Sequence, residues 1–132
     1  MSGAVVLDTH AWLWWLSESE RLSADAAAAI DRAARVFIPA ISVWEVATLV
    51  SRGRLILDRP LDVWLAQAFA HPRAVCADLT WRITARGGQL GASGFHGDPA
   101  DRLIVATALE LGLPLISKDA QIHLWDGIDP VW

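Results

Sequence analysis

Four carboxylates are spaced so that a parallel-sheet fold would gather them into one pocket: Asp8, Glu45, Asp101 and Asp119. Asp8 ends an apolar run, and Asp119 comes shortly after another. Glu45 and Asp101 fall in the first turns of predicted helices. In a parallel α/β sheet, the carboxyl ends of the strands and the starts of the following helices share one edge, where active sites collect. The sequence therefore predicts an acidic pocket at that edge.

Carboxylates held close together repel one another and raise each other's pKa. A hard divalent cation such as Mg²⁺, which takes oxygen ligands, relieves that repulsion. A pocket of this kind is typical of metal-dependent phosphoryl chemistry.

Each acid also has an ordinary explanation as a helix cap. The segment Ser42–Glu45 matches a capping box, in which Glu45 would only reach back to the backbone N–H of Ser42. Asp98 suits the N-cap of a helix with a proline at its first position and Asp101 at its third. Asp8 and Asp119 could cap the segments that follow them. The joint placement of all four favours the pocket, with Asp101 as a ligand and Asp98 as a helper at its rim.

Apolar runs and turn residues predict an alternation of strands and helices along the chain. Strands are predicted at 4–7, 36–38, 74–76 and 113–117, with a weak fifth at 128–131. Helices are predicted at 9–16, 24–34, 43–52, 58–69, 79–86 and 99–111, with a turn or short helix at 121–126. This alternation predicts parallel βαβ units. Residues 54–57 are predicted to be extended, and the segment 87–97, with five glycines, is predicted to be a mobile loop. No linker divides residues 1–132, which we interpret as one domain.

Bulk properties restrict the class of protein. The chain has 132 residues, 54% of them hydrophobic, and a net charge of −4, which argues against a broad basic surface for nucleic acid. The net charge does not exclude a nuclease, since several of the negative charges would belong to a metal site. No apolar run approaches the roughly 20 residues of a membrane span. The start of the chain shows no secretion signal, and Cys76 is the single cysteine, expected to be buried and reduced. We therefore expect a cytoplasmic protein without membrane contact.

Tryptophan is unusually frequent, with eight residues and no tyrosine. Trp12, Trp14, Trp15 and Trp44 belong to the predicted helices beside Asp8 and Glu45. Such an aromatic face could pack in the core, join two protomers or receive a partner helix.

Four ordered segments resemble the motifs of PIN-domain proteins, and more narrowly those of VapC-type toxins of toxin–antitoxin pairs. They are Val6–His10, Ser42–Ala47, Gly97–Ala108 and Leu115–Asp119. The Asp-Pro-x-Asp-Arg-Leu-Ile part of the third segment is the most specific, and the likeness spans nearly the whole chain.

The resemblance implies a single PIN-like domain: a three-layer αβα fold with a central parallel sheet of four to five strands. It implies a Mg²⁺- or Mn²⁺-dependent endoribonuclease in which a metal-activated water cleaves RNA and leaves a 5′-phosphate. It also implies a cognate VapB-like antitoxin and a homodimer. Carried over residue by residue, the catalytic and metal-binding acids fall on Asp8, Glu45, Asp101 and Asp119, and the polar residue after the first acid falls on Thr9.

Charged and imidazole side chains near the acids are further candidates. Arg102 follows Asp101 and Lys118 precedes Asp119, so either could contact the RNA backbone or be ordinary surface charge. His10 could be a general base or could simply pack. The four histidines show no ligand spacing, so we predict no zinc site.

Two alternatives remain open at this stage. The same acids could serve a DNA nuclease or a phosphatase, although a covalent phosphatase would require Asp-x-Asp after the first strand, where Thr9 and His10 stand. The chain could instead be a non-catalytic PIN-like protein-binding module, which would favour an incomplete acid set.

Overall fold

A computed structural model describes residues 3–132 and shows an α/β fold built on a four-stranded parallel sheet. The strands are β1 (Ala4–Leu7), β2 (Arg35–Pro39), β3 (Ala74–Ala77) and β4 (Leu115–Ile116). The helices are α1 (Thr9–Leu16), α2 (Ala24–Arg32), α3 (Ala40–Ser51), α4 (Leu61–Phe69), α5 (Trp81–Gln89), α6 (Pro99–Leu111) and α7 (Ala120–Leu124), with a 3₁₀ helix at Leu90–Ser93. The predicted α/β class with a central parallel sheet is confirmed.

The strand order is β3-β2-β1-β4, and every pair is parallel. Val6 of β1 pairs with Phe37 of β2 and with Leu115 of β4, so β1 lies between its two neighbours in register. Because the strands are parallel, β1, β2 and β4 all end at the same edge of the sheet. That edge is where α1, α3 and α7 begin.

Side chains of β1 alternate between two separate hydrophobic cores. Val5 and Leu7 belong to the core that contains the fully buried Trp12 of α1 and residues of α2, α3 and α4. Val6 belongs to the core formed with α5, α6 and α7, which includes Ile104. Since successive strand residues face opposite sides of a sheet, helices cover both faces, and the fold has the three predicted layers.

The start of α3 differs from the prediction. The helix begins at Ala40, directly after β2, and its N-cap residue Pro39 makes no side-chain cap hydrogen bond. Ser42 therefore lies inside the first turn, fully buried, with its hydroxyl against Thr9. The predicted capping box between Ser42 and Glu45 is wrong because β2 runs through Pro39 and leaves no room for a cap at Ser42.

The glycine-rich segment is more regular than predicted. Helix α5 continues through Gly87 and Gly88, and the 3₁₀ helix follows it. A Cβ on Gly87 would lie 2.9 Å from Cδ2 of Leu103, so glycine there permits the close approach of α5 to α6. The predicted helix end at Gly87 is wrong because tight helix packing, not a chain break, accounts for that glycine.

Four smaller predictions are also corrected. Strand β4 is only two residues long, and the weak fifth strand is a single bridge between Ile116 and Val131. Cys76 is exposed, because it lies on β3 at the edge of the sheet rather than in the core. Within residues 3–132, the segment 54–57 forms no strand. None of the helices in the described part of the chain is long and apolar enough to cross a bilayer.

Arg73 connects α1, α2 and the segment before β3, and its removal should destabilise the fold. Its Nη1 donates to the carbonyls of Ile30 and Ala33, 2.8 Å away in each case, at the end of α2, and its guanidinium lies 5.8 Å from the ring centroid of Trp15. We expect Arg73→Ala to lower the free energy of unfolding by about 2–3 kcal/mol, because two carbonyls lose a charged donor. Urea denaturation measures this. Arg82→Ala is the control, since the exposed Arg82 stacks only on Trp81. Equal losses in both variants would contradict the prediction.

Candidate active site

The predicted acids lie along the edge of the sheet where the strands end. Asp8 directly follows β1, and Ser117 directly follows β4. Glu45 lies on the second turn of α3, and Asp101 on the first turn of α6. The negative charges of Asp8, Glu45, Asp98 and Asp119 contribute to the raised pKa values of Asp8, Glu45 and Asp101, as set out below. The fold therefore brings together acids from four separate parts of the sequence.

Asp8 is the most buried of these carboxylates, with 8% of its surface exposed. It caps α1 by accepting a hydrogen bond of 2.8 Å from the backbone N–H of Ala11, and it also accepts one from Ser117. Burial raises the pKa of Asp8, and the charge of Asp119 adds to that rise, while the two hydrogen bonds and the charge of His10 oppose it. Part of the carboxylate stays free of these local bonds and can take a further partner.

Glu45 is half-buried and is held by Thr9. The Thr9 hydroxyl lies 2.5 Å from Glu45 Oε1. Burial raises the pKa of Glu45, the hydrogen bond from Thr9 lowers it, and the charges of Asp98 and Asp8 raise it further. Thr9 itself is only 6% exposed, so it supports the pocket from inside rather than lining its rim.

Asp101 has the largest shift. Burial, followed by the negative charges of Asp98, Asp119 and Glu45, raises the pKa of Asp101 from 3.8 to about 7. Asp98 caps α6 by accepting a hydrogen bond of 2.9 Å from the backbone N–H of Asp101, as predicted. At neutral pH, both the protonated and the ionised form of Asp101 are therefore populated. A bound cation would favour the ionised form.

Asp119 caps α7, accepting hydrogen bonds from the backbone N–H groups of Gln121 (2.8 Å) and Ile122 (3.1 Å). Its own N–H donates to the Ser117 hydroxyl at 3.1 Å, and that hydroxyl also bonds Asp8. Ser117 is completely buried and connects the first and last acids. Sequence reasoning missed this role; the available signal was a polar residue at the end of a buried strand, two residues before Asp119.

The carboxylates approach one another without forming a finished ligand cage. Among residues 3–132, no three Asp, Glu, His or Cys side chains are already placed as a metal-ligand group. Asp8, Asp98 and Asp119 each give one oxygen to a helix cap, which holds them apart. The donor set is nonetheless purely carboxylate and hydroxyl oxygen, which fits Mg²⁺ or Mn²⁺ and does not fit zinc. Binding of such an ion would require side-chain rotations that bring the oxygens together.

The charged residues predicted at the rim of the pocket differ in their exposure and contacts. Lys118 and Asp98 are exposed beside the acids. Arg102 is instead turned back onto the preceding loop, where its Nε donates to the Gly97 carbonyl at 2.7 Å. That bond fixes the turn into α6 and occupies part of the guanidinium, so of the two basic candidates Lys118 is the one left free at the surface.

The histidines lie outside the acid group. His10 is exposed and stands close enough to Asp8 and Glu45 for its charge to lower the pKa of both. His123 Nε2 lies 2.6 Å from the Ser117 carbonyl, which supports the segment that carries Asp119. In the described residues no histidine joins a cluster of possible metal ligands.

A groove of about 860 Å³ is bounded by α1, α3, α4 and the segment 54–59. His10, whose charge acts on the pKa values of Asp8 and Glu45, is part of its lining. Its apolar lining includes Trp14 and Leu55, and Arg21 and Arg54 add positive charge. The predicted tryptophan face is thus divided: Trp12 is in the core, Trp14 lines the groove, and Trp44 is 60% exposed.

Comparison with known proteins gives consistent results. The family model for the PIN domain matches residues 5–126. Ribonuclease VapC22 of Mycobacterium tuberculosis (strain ATCC 25618 / H37Rv) is 42% identical over 119 residues, covering 90% of this chain and 89% of that protein. A toxin–antitoxin complex from Klebsiella pneumoniae matches with a TM-score of 0.67 at 18% identity, over 93% of this chain and 92% of the other. VapBC-1 of nontypeable Haemophilus influenzae matches with a TM-score of 0.67 at 15% identity, over 96% and 95%. At such identities the two structures support the fold alone.

Proposed function

Because the chain belongs to the PIN-domain family, we propose that it is a metal-dependent endoribonuclease and the toxin of a VapBC-type toxin–antitoxin pair. The proposed ribonuclease activity is supported by the similarity to VapC22, which is named as a ribonuclease. The toxin role is supported by the same relative and by structural neighbours that are VapBC complexes. Its proposed site of action is the cytoplasm, where its RNA substrates are found.

The observation that carries the catalytic part of the proposal is the raised pKa of Asp101. Burial, followed by the charges of three acidic side chains on the α3, α6 and α7 segments, raises that pKa to about 7. Strongly raised carboxyl pKa values of this kind cluster at functional sites. The complete acid set favours an enzyme over a non-catalytic binding module.

Asp8 and Asp101 would hold the ion directly, and Glu45 and Asp119 directly or through water, since Mg²⁺ retains much of its hydration shell. The ion, when bound, would activate the attacking water and offset negative charge on the scissile phosphate. The chain itself supplies the rest: Thr9 and Ser117 orient carboxylates, and Lys118 contacts the RNA backbone. The products are a 5′-phosphate and a 3′-hydroxyl.

The test of this function is metal-dependent cleavage of RNA. Purified protein is incubated with total cellular RNA in Mg²⁺, in Mn²⁺ and in EDTA, and the cut ends are mapped. We expect discrete cuts with 5′-phosphate ends in either metal and none in EDTA. A single-stranded DNA with the sequence around a mapped RNA cut should stay intact. Cleavage of that DNA at the same rate as the RNA would instead favour the DNA nuclease. Unchanged cleavage in EDTA would refute the metal-dependent chemistry.

We also propose that the groove beside the acids receives the antitoxin. Its lining combines apolar side chains such as Trp14 and Leu55 with positive charge from Arg21 and Arg54, which suits an apolar segment carrying acidic side chains. The groove is lined in part by His10, whose charge acts on the pKa values of Asp8 and Glu45, so a segment that continues past His10 could place an arginine against the carboxylates. Such a segment would inhibit the enzyme by occupying the cation site.

Ile56 gives a direct test of the groove, because it lines the groove and is 89% exposed. We expect Ile56→Glu to weaken antitoxin binding at least tenfold, since it puts a charge into an apolar contact, and to leave RNA cleavage unchanged. Titration calorimetry with the cognate antitoxin measures this. Leu124→Glu is the matched control, since Leu124 is 85% exposed and lies outside the groove. Wild-type affinity in Ile56→Glu would count against the groove.

A homodimer is the remaining part of the proposal. Trp44 on α3 is 60% exposed and Trp81 on α5 is 73% exposed. Exposed indoles of this kind are enriched at protein interfaces, and both helices pack against α6. Sedimentation of the purified chain as a monomer at micromolar concentration would contradict this assignment.

A further inference from the structure

We propose that Ser42 is a positioning residue for the acidic pocket and that it acts on Glu45 through Thr9. The Thr9 hydroxyl lies 2.9 Å from Ser42 Oγ and 2.5 Å from Glu45 Oε1. Ser42 is completely buried, and Thr9 is 6% exposed. The inference rests on the proposed metal-dependent function, since it concerns how one of the proposed ligands is held.

The distances determine which hydroxyl donates to which acceptor. A hydroxyl carries one proton, and an ionised carboxylate only accepts. At 2.5 Å, the contact between Thr9 and Glu45 would be repulsive unless the Thr9 proton lies in it. The Thr9 proton is therefore directed at Glu45, and Ser42 must be the donor in its contact with Thr9. Each donation strengthens the next, because a hydroxyl that accepts one hydrogen bond becomes a better donor.

This chain of hydroxyls joins two helices at the pocket. Thr9 is the first residue of α1 and directly follows Asp8, while Ser42 and Glu45 lie one turn apart on the same face of α3. The Glu45 carboxylate is thereby fixed relative to Asp8 before any cation arrives. A ligand that is already oriented loses less conformational freedom on binding, so removal of the Ser42 hydroxyl should weaken cation binding without changing the ligand set.

Titration calorimetry with Mn²⁺, in the absence of RNA, tests the inference. We expect Ser42→Ala to weaken Mn²⁺ binding by roughly 3–10-fold and Thr9→Val by roughly 10–100-fold, the range for residues that support metal ligands. Thr9→Ser keeps the hydroxyl and should stay within about twofold of the wild type. In a Glu45→Gln background, Ser42→Ala should cause no further loss, because its effect passes through Glu45.

Thr107→Ala is the control for loss of a buried hydroxyl. Thr107 is 2% exposed and donates to the Leu103 carbonyl, with no acid in contact. If Ser42→Ala weakens Mn²⁺ binding no more than Thr107→Ala does, or weakens it equally in the Glu45→Gln background, Ser42 has only a structural role and the inference fails while the nuclease stands. If the wild type neither binds Mn²⁺ nor cleaves RNA, the inference and the proposed function fail together.

Discussion

Replacing Asp8 with asparagine should reduce RNA cleavage at least a thousandfold and leave the protein folded. The loss follows because Asn removes the negative charge of the most buried proposed ligand, and metal-assisted hydrolysis depends on that ligand set. The fold should survive because asparagine caps helices as well as aspartate does, so the bond to the Ala11 N–H is kept. Initial cleavage rates in saturating Mn²⁺, together with thermal unfolding curves, measure both parts.

Asp31→Asn is the matched control for this substitution. Asp31 is exposed on α2, a helix that contributes no residue to the acidic pocket, so its loss should leave the cleavage rate within about twofold, as for an ordinary surface change. Full activity of Asp8→Asn in a metal-replete assay would refute the assignment of Asp8. Loss of activity with loss of the folded state would show only a structural role.

Asp101→Asn should have two effects of opposite kind: a large loss of cleavage activity and a gain in stability at high pH. Cleavage should fall at least a hundredfold, because a proposed direct ligand loses its charge. In EDTA at pH 8, however, the variant should be more stable than the wild type. The folded-state pKa of Asp101 is about 7, well above its ordinary value of 3.8. A group with a raised pKa contributes its stability at low pH and loses that contribution as the pH rises through the folded value.

The size of the stability gain is modest but measurable. A rise from 3.8 to about 7 corresponds to at most about 4 kcal/mol, and solvent screening at this half-buried carboxyl reduces it to roughly 1–2 kcal/mol. For a domain of this size that corresponds to about 4 °C in Tm for each kcal/mol. The difference between variant and wild type should grow as the pH rises from about 4 to about 7, between the ordinary and the folded-state pKa of Asp101, and should stay constant above that range. It should shrink when Mn²⁺ stabilises the wild type alone.

Asp98→Asn provides a graded comparison. It keeps an oxygen to accept the bond from the Asp101 N–H and removes the largest of the charges that raise the pKa of Asp101. We expect a smaller gain in stability at pH 8 than for Asp101→Asn. If neither variant changes the pH dependence of Tm in EDTA, then Asp101 does not titrate near pH 7 and the acidic pocket is not electrostatically coupled.

Local sequence signals predicted the parts of the fold that depend on neighbouring residues. The Asp98 cap of α6 was predicted from the proline that follows it, and the structure shows that cap with its hydrogen bond from the Asp101 N–H. The gathering of the acids at one edge also followed from sequence, because parallel strands place their carboxyl ends together.

The features that sequence reasoning missed depend on partners distant along the chain. Ser42 resembled a helix cap, but its hydroxyl bonds Thr9, 33 residues away. Gly87 resembled a helix end, but it makes room for Leu103 of a neighbouring helix. Ser117 connects Asp8 and Asp119 only once β1 and β4 are paired. No local pattern contains these contacts, so they become visible only in the assembled fold.

The most direct test of the central claim is a crystal structure of the wild-type protein with Mn²⁺, using anomalous scattering to locate the ion. We expect an anomalous peak within about 2.5 Å of carboxylate oxygens of both Asp8 and Asp101, with Glu45 and Asp119 close by, and we expect that peak to disappear in Asp8→Asn. A protein that cleaves RNA while Mn²⁺ binds elsewhere, or binds with residues 8 and 101 turned away from it, would contradict the proposal that these acids form a single cation site.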